Sequence, residues 1–184
     1  MIYMVEMALA ESELHRRAEW EAWYLSHQQM LLTLPGFYAS QRFEAIEPAD
    51  SPFVALHEVS GPELFSSEAY RAKAGPAGTG EWQHKMPNWH RNLFAGVEHT
   101  PDVRMDQWLA VIEDGVPASR CVDMMEMQWM EAAGLDGNVR RRAIAVVDMA
   151  FIATSFASSE GVRMCRPLMP RMTGVNAPHL KPLG

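Results

Sequence analysis

The clearest periodicity in the chain is an apolar stripe between residues 11 and 34. Trp20, Trp23 and His27 recur at spacings of three and four, which places them on one face of a helix. Acidic residues at the start of this segment suit the positive N-terminal end of a helix. The Pro35-Gly36 pair ends it, because proline cannot continue the hydrogen-bond ladder and glycine adopts a left-handed cap at little cost. The pattern therefore predicts one long helix over residues 11–34.

Shorter segments on both sides of this helix complete a β-α-β-β-α-β order. Each predicted strand is an apolar or alternating run that is bounded by turn residues. Pro62 is typical of the first turn of a second helix. Residues 74–88 are rich in glycine and proline and predict a flexible loop. The predicted strands cover residues 2–7, 37–46 and 52–60, and the second helix runs to about residue 73. Residues 89–97 predict a fourth strand or a short helix-to-strand element.

The second half of the chain repeats this order loosely, as a sequence with an internal repeat does. Apolar runs again alternate with a longer amphipathic segment. The predicted elements are, in order, a strand at 107–113, a helix at 119–133, a strand at 140–148 and a further β-like run at 150–156.

Two features qualify this second unit. Its predicted helix is rich in methionine, contains Trp129 and ends near Gly134. The tail from Pro167 is rich in proline and predicts irregular structure. We therefore divide the chain into a first α+β unit at 1–104 and a degenerate second α+β unit at 105–184.

Length and composition are those of an ordinary globular protein. The chain has 184 residues, of which 48% are apolar and 21% are charged. Its net charge of −7 argues against nucleic acid or an anionic membrane as the main partner, because both need clustered lysine and arginine. No apolar stretch approaches the length of a membrane span. Cys121 and Cys165 fit no metal or redox spacing, so we expect a reducing, cytoplasmic location.

His27 is the strongest candidate for chemistry. An imidazole titrates near neutral pH, so a buried one beside a substrate can accept and donate protons. The helical neighbours Trp20, Trp23 and Met30 would form dry walls that strengthen any charge interaction. The abundance of methionine and tryptophan favours an adaptable apolar pocket or, equally well, a methionine-rich core. A core histidine that is hydrogen-bonded to the backbone is the competing interpretation.

Other side chains could complete a site around His27. Tyr24 lies one turn before it and could orient a substrate oxygen, although packing is its competing role. Arg42 lies on a predicted strand and could hold a carboxylate with both ends of its guanidinium, or pair with a glutamate. His57 alternates onto a strand face that could line a pocket or an interface.

A second group of aromatic residues follows the glycine-rich loop. Trp89 and His90 lie just after Pro87, so this segment could close over a cavity as a lid. Exposure to solvent is the competing interpretation for the histidines of this segment.

No histidine pair in the sequence has the spacing of metal ligands. Neither HxxxH nor HExxH occurs among the seven histidines. We therefore expect no metal and no bound cofactor. Ligation by residues distant in sequence, or of a haem by one histidine, stays open because neither leaves a spacing signature.

The segments Trp23-Tyr24, His27, Leu34-Pro35-Gly36 and Arg42-Phe43 resemble the dimeric α+β barrel superfamily and, within it, the EthD-like proteins. The resemblance covers about residues 1–97. It implies an α+β, ferredoxin-like β-α-β-β-α-β unit whose sheet closes against a second sheet, from a partner chain or from a tandem copy. It also implies a homodimer.

The superfamily includes cofactor-free monooxygenases, isomerases, polyketide cyclases and haem-dependent enzymes, so the fold leaves the reaction open. The resemblance and the residues together favour a cofactor-free isomerase or lyase acting on a small apolar substrate, aromatic or lactone-like. His27 would transfer the proton, and Tyr24 or Arg42 would hold a substrate oxygen. A non-catalytic ligand-binding protein, a cofactor-free monooxygenase and a haem-binding protein are the alternatives. The expected substrate-binding residues are Trp20, Trp23, Met30, His57, Trp89 and His90.

Overall fold

The structure is a computed structural model that describes residues 1–116, 126–148 and 161–178. Its α-helices are α1 (Arg17–Leu31) and α2 (Glu68–Lys73), and short 3-10 helices cover Glu11–Arg16, Pro62–Ser66 and Pro76–His84. Its strands are β1 (Ile2–Met7), β2 (Phe37–Ala45), β3 (Phe53–Val59), β4 (His90–Ala95), β5 (Gln107–Glu113), β6 (Gln128–Leu135), β7 (Arg141–Asp148), β8 (Val162–Pro167) and β9 (Met172–Thr173).

Strands β1 to β8 form one antiparallel sheet that closes into a barrel within a single chain. In the first half, β1 lies between β3 and β4, and β2 pairs with the other edge of β3. In the second half, β5 lies between β7 and β8, and β6 pairs with β7. The halves join where β4 pairs with β6 and where β2 pairs with β8. The short β9 adds to another part of β2.

This closure confirms the α+β barrel that the sequence predicted. The strand order of the first half, β2-β3-β1-β4, is the ferredoxin-like order. The described strands of the second half follow the same relative order, β6-β7-β5-β8. The chain's own second half thus supplies the strands that the resemblance assigned to a partner or to a second copy. The homodimer stays a prediction, as does the division into units at 1–104 and 105–184.

In the first half the predicted elements occur close to their predicted bounds. The helix over residues 11–34 is confirmed in part, because it begins as the 3-10 helix Glu11–Arg16 and becomes α-helical only at Arg17. The predicted loop at 74–88 differs more, since Pro76–His84 is a 3-10 helix with a kink at Gly80. No helix of the described residues is long and apolar enough to cross a membrane.

In the second half the predicted helix at 119–133 is wrong for the part that the structure describes. Residues from Gln128 onward form strand β6, while 119–125 lie outside the described residues. Trp129 and Met130 lie on opposite faces, with Met130 fully buried in the core formed by the inner faces of the strands. The pairing of β6 with both β4 and β7 overrides the helical spacing.

The remaining expectations for this half have mixed outcomes. The strands at 107–113 and 140–148 are confirmed as β5 and β7. The β-like run at 150–156 lies outside the described residues. The tail is less irregular than predicted, because Pro167 ends strand β8 and Met172–Thr173 forms β9.

Alternation along the strands gives the barrel two separate apolar layers. On β1, Ile2 and Met4 point into the barrel, where they pack with other inward-facing side chains such as Phe94. Tyr3 and Val5 point outward and pack against the layer that contains α1. Strand β1 is therefore a wall with a different environment on each face.

A buried ion-pair network joins the two halves at one end of the barrel. Glu6, at the inward face of β1, accepts hydrogen bonds from Arg142 at 2.6 Å and from Arg163. Arg142 also donates to both carboxylate oxygens of Glu113, at 2.7 and 3.2 Å. Burial alone would raise the pKa of the Glu6 carboxyl, but the guanidinium groups of Arg142 and Arg163 outweigh it and hold this pKa below its usual range.

The substitution Glu6→Gln is expected to destabilise the protein. It removes the carboxylate that neutralises Arg163 and leaves Arg142 with Glu113 alone, and breaking a buried ion pair in this way typically costs about 3–5 kcal/mol of unfolding free energy. Because the folded pKa of Glu6 lies below the unfolded value, its contribution is present above the unfolded pKa of about 4.3 and is lost as pH falls through the folded pKa.

Urea unfolding at neutral and acidic pH measures both effects, with Glu47→Gln as an exposed control. Equal unfolding free energies for the two variants at neutral pH would show that the network does not hold the halves together.

Candidate functional site

A small void lies between the outer face of the first-half sheet and the helices that cover it. Its volume is about 30 Å³. That is room for one or two water molecules and is about a tenth of an ordinary ligand pocket. The lining residues are Tyr3, Val5, Tyr24, His27, Leu31, His57, Tyr70 and Gly75.

The packing of α1 on the sheet positions the helical side of the void. The buried positions of α1 are Trp20, Tyr24, Gln28 and Leu31, at spacings of three and four. The Gln28 side-chain amide donates to the hydroxyl of Ser40 on β2 at 2.5 Å, which fixes the helix along the sheet. Tyr24 is therefore held over the sheet by contacts on both sides of it along the helix.

Strand pairing positions the floor of the void. Tyr3 on β1 and His57 on β3 are direct partners in the antiparallel register. Their rings stack with centroids 5.3 Å apart and an interplanar angle of 26°. Phe37 meets the His57 ring edge-on at 5.8 Å. The imidazole is thus enclosed by aromatic rings and is only 1% exposed.

His27 lies where the void approaches the surface. Its ring stacks on Trp23, with centroids 5.3 Å apart and an interplanar angle of 22°. The segment after α2 covers it: a side-chain carbon at Gly78 would stand 4.0 Å from His27 Cε1 and only 2.8 Å from the Lys73 carbonyl oxygen. Burial lowers the pKa of His27 to about 4, so its imidazole is uncharged at neutral pH.

His57 has a buried nitrogen without a partner. Burial, together with the positive charges of a protonated His27 and of Arg42, lowers its pKa to about 3. Among the described residues, no group hydrogen-bonds to its Nδ1 atom. Leaving such an atom unsatisfied costs about 1–3 kcal/mol, so the position next to the void is suited to a water molecule or a polar ligand atom.

Three tyrosines face these histidines. Burial raises the pKa of Tyr24 to about 12 and also raises the pKa values of Tyr3 and Tyr70. Their hydroxyl groups are protonated at neutral pH and can donate hydrogen bonds. The same burial therefore gives an uncharged base and an undissociated donor in one place.

Arg42 contacts this cluster through Tyr24. Its guanidinium lies 3.9 Å from the Tyr24 ring centroid and 4.8 Å from that of Trp20. Its Nη1 atom donates to Glu21 at 2.7 Å. The Arg42 side chain is 3% exposed, and its Nη2 atom has no partner among the described residues. The prediction that it holds a substrate oxygen stays open, but its main contacts are with the helix.

The structure brings some of the predicted site residues together and separates others. Tyr24, His27 and His57 share the void, with Trp23 and Arg42 beside it. The void is not lined by Trp20, which is fully buried, or by Met30, Trp89 and His90. His90 instead faces the barrel interior, because it shares the inward face of β4 with Phe94.

Sequence reasoning missed Tyr3 and Tyr70. The alternation Tyr3-Met4-Val5 indicates which residues share a face, but only the β1–β3 register places Tyr3 against His57. Tyr70 is the one buried residue of α2, a helix too short for periodicity to mark it.

No metal centre is present among the described residues in the form of three clustered histidine, cysteine, aspartate or glutamate side chains. The void is also far smaller than a haem or another organic cofactor. Its present contents are limited to small molecules of the size of water. A larger guest requires the covering segment to move, and Gly75 and Gly80, with φ of 75° and 56°, flank the part that covers His27.

Comparison with known proteins supports the fold and does not name the reaction. No protein-family model matches the sequence, and no curated protein matches it. Among solved structures, an anthrone oxidase-like protein aligns with 95% of this chain and 92% of its own, at 8% identity and a TM-score of 0.56. A chlorite dismutase-like protein aligns with 91% of this chain and 95% of its own, at 12% identity and a TM-score of 0.50. At such identities the likeness shows the fold alone, that of the dimeric α+β barrel proteins.

The two histidines at the void are expected to remain uncharged under mildly acidic conditions. Their ring resonances in proton NMR should keep neutral-imidazole shifts down to about pH 5, since burial holds their pKa values at about 4 and about 3. Because these folded values lie below the unfolded value of 6.5, the unfolded chain binds more protons, and the unfolding free energy falls as pH decreases from about 6.5 toward about 4.

Each of the variants His27→Gln and His57→Gln lacks one ring resonance, which assigns that resonance. Each variant should also show a smaller fall in unfolding free energy between about pH 6.5 and about pH 4. A titration midpoint near 6.5 for either ring would mean that the ring is hydrated and that the cavity is not a dry site.

Proposed function

We propose that the chain is a small-molecule enzyme that abstracts a proton from a weakly acidic, largely apolar substrate, using side chains only. The site is the void between α1 and the first-half sheet. The observation that supports this most is the unpartnered His57 Nδ1 beside a cavity that also holds His27 and protonated tyrosines. A buried polar atom without a partner requires an explanation, and a role in binding or catalysis is one such explanation.

His27 is the proton acceptor in this proposal. It is uncharged at neutral pH, and its position near the covering segment lets its proton exchange with solvent. When it takes a proton from a carbon next to a carbonyl, the electron pair moves to the carbonyl oxygen. The resulting negative charge beside the imidazolium stabilises it and raises its pKa during the reaction.

The oxygen that gains charge is held by Tyr24 and by His57. Tyr24 has a hydroxyl that is protonated at neutral pH and donates a hydrogen bond. Arg42, over the Tyr24 ring, places a positive charge close to that donor. His57 Nδ1 supplies the second polar contact, as donor or acceptor according to its tautomer. Donors that are fixed in a dry site stabilise developing charge more than water does.

The walls favour an apolar and flat substrate. Val5 and Leu31 supply aliphatic surface, and the aromatic rings supply flat faces. Trp23, stacked on His27, extends this surface toward the covering segment. Entry takes place when that segment, Gly75 to Gly80, moves off His27.

The reaction class follows from where the proton goes next. Return to another carbon is isomerisation, and transfer to a leaving group is a lyase reaction. Capture of the carbanion by oxygen is a cofactor-free oxidation, which is of interest because one structural neighbour is named anthrone oxidase-like. All three share proton abstraction as the first step.

We also infer that the second half is a degenerate tandem copy that takes the place of a partner chain. Two observations support this. The two halves have the same relative strand order. Each half also pairs its fourth strand with the second strand of the other half, β4 with β6 and β8 with β2. A homodimer would then be an additional assembly of closed barrels.

Proton abstraction can be tested with 5-nitrobenzisoxazole, a small apolar aromatic molecule that opens to a coloured phenolate when a base removes its carbon-bound proton. The wild type should catalyse this opening, and His27→Ala should lower kcat/KM by roughly 100-fold or more, as loss of a general base does. The rate should be constant from about pH 8 to about pH 5 and fall around pH 4, since only the unprotonated imidazole acts.

His84→Ala is the matched control, because His84 is an exposed histidine that follows the covering segment. Recovery of the His27→Ala rate by added imidazole separates a lost base from a damaged fold. If His27→Ala is as active as the wild type, His27 is not the base in the mechanism. Oxygen uptake with anthrone as substrate then distinguishes oxidation from isomerisation or lyase chemistry.

A further inference from the structure

A second and much larger cavity lies at one mouth of the barrel. Its volume is about 360 Å³, at the lower end of the range for small-molecule sites. Strand β1 separates it from the void described above, because Glu6 lines the mouth while Tyr3 and Val5 line the void. The residues that line it are Glu6, Asp50, Ser51, His90, Glu113, Asn138, Arg142, Gly161, Val162 and Arg163.

One side of the mouth is a chain of alternating charges. Glu113 pairs with Arg142, Arg142 with Glu6, and Glu6 with Arg163. Arg163 then donates from Nη1 to the Ser51 carbonyl oxygen at 2.7 Å. This row of ion pairs is rigid because its inner members are buried, with the Glu6 and Arg142 side chains 4% and 5% exposed. Four strands, β1, β5, β7 and β8, contribute to it.

Within this row of ion pairs the charges balance, since two carboxylates face two guanidinium groups. An anion would meet Glu113 and the exposed Asp50, and a cation would meet Arg142 and Arg163. An uncharged ligand pays the smallest desolvation cost in such a lining. Carboxylate oxygens offer acceptors and guanidinium nitrogens offer donors, so the ligand that matches them carries both kinds of group.

Polar atoms without partners gather at this end of the barrel. The Nε atom of Arg163 is buried and has no hydrogen-bond partner among the described residues, although both of its terminal nitrogens are bonded. Asn92 lies two residues after His90 on the inward face of β4 and is fully buried, and neither polar atom of its amide has a partner there. Asn92 pairs in register with Met4, whose sulfur contacts Arg142.

We propose that the barrel mouth binds a small uncharged polyhydroxylated molecule, a polyol or sugar of monosaccharide size. Arg163 Nε–H donates to one hydroxyl oxygen. Glu113, 42% exposed and still able to accept further hydrogen bonds, receives a hydroxyl proton. His90 and Asn138 contact the ligand from the other side of the mouth. Such paired donors and acceptors match a hydroxyl group, which is both.

Binding is tested by saturation-transfer NMR and calorimetry on the full chain, with D-glucose, D-ribose and myo-inositol as probes. At least one of them should bind saturably at one site per chain. Arg163→Lys keeps the positive charge beside Glu6 but removes Nε–H, so it should weaken that binding by about fivefold or more, the loss of one buried hydrogen bond. His90→Ala should also weaken the binding. The control is His15→Ala, because His15 is exposed and lies on the 3-10 helix before α1, away from the mouth.

Several results would overturn the proposal. One is the absence of saturable binding for all three polyols. Another is tighter binding of inorganic phosphate or glycine, which would assign the mouth to an anion or a zwitterion. A third is unchanged polyol affinity in both Arg163→Lys and His90→Ala, with unfolding midpoints that show both variants folded. Both variants should open 5-nitrobenzisoxazole at the wild-type rate, so failure here leaves the proton-transfer site untouched.

Discussion

Closure of the sheet is the constraint on which the rest of the structure depends. Because each of the eight barrel strands is paired on both sides, the backbone groups are satisfied and each side chain must point either into the barrel or out of it. β1 shows the result most clearly. Its outward residues meet the helices, and its inward residues meet the ion pairs and the apolar interior. The void and the mouth are therefore separated by the thickness of a single strand.

The same physical cause, burial, has opposite effects on the two kinds of titratable group at the void. It disfavours the imidazolium form of His27 and His57, and it disfavours the phenolate form of Tyr24. An acceptor and a donor thus coexist without any charge. At the barrel mouth a buried group stays charged. Glu6 keeps its negative charge because two guanidinium groups neutralise it. Shielding by aromatic rings and pairing of charges are two ways of placing polar groups in one small fold.

The sequence was sufficient to predict most elements of the first half and to place Tyr24 and His27 on one helix. The spacing of Trp20, Trp23 and His27 and the Pro35-Gly36 stop require only local information, and the strand order follows from the resemblance. Partners across the sheet were out of reach, because the contact of Tyr3 with His57 depends on register. The helix assigned to residues 119–133 failed for a related reason. A run with Met130 and Trp129 suits a helix or a strand, and pairing with β4 and β7 decides between them.

The charged mouth was also hidden, although the sequence contains a usable signal. Glu6 falls on the same face as Ile2 and Met4, and Arg142 on the same face as Ile144, so each is a charge at an inward position of an apolar strand. A charge at such a position requires a partner from another strand. Searching for complementary charges at equivalent inward positions would have placed Glu6 of β1 against Arg142 of β7 across the barrel interior.

Closure within one polypeptide has a genetic consequence. In a barrel made from two copies of one gene product, any substitution appears twice, once in each half, and every feature of one face must be tolerated on the other. Here a change at His27 or at Arg163 occurs once. The two halves are therefore free to diverge. The first half can keep an aromatic void that excludes water, while the second half supplies arginines to the barrel mouth.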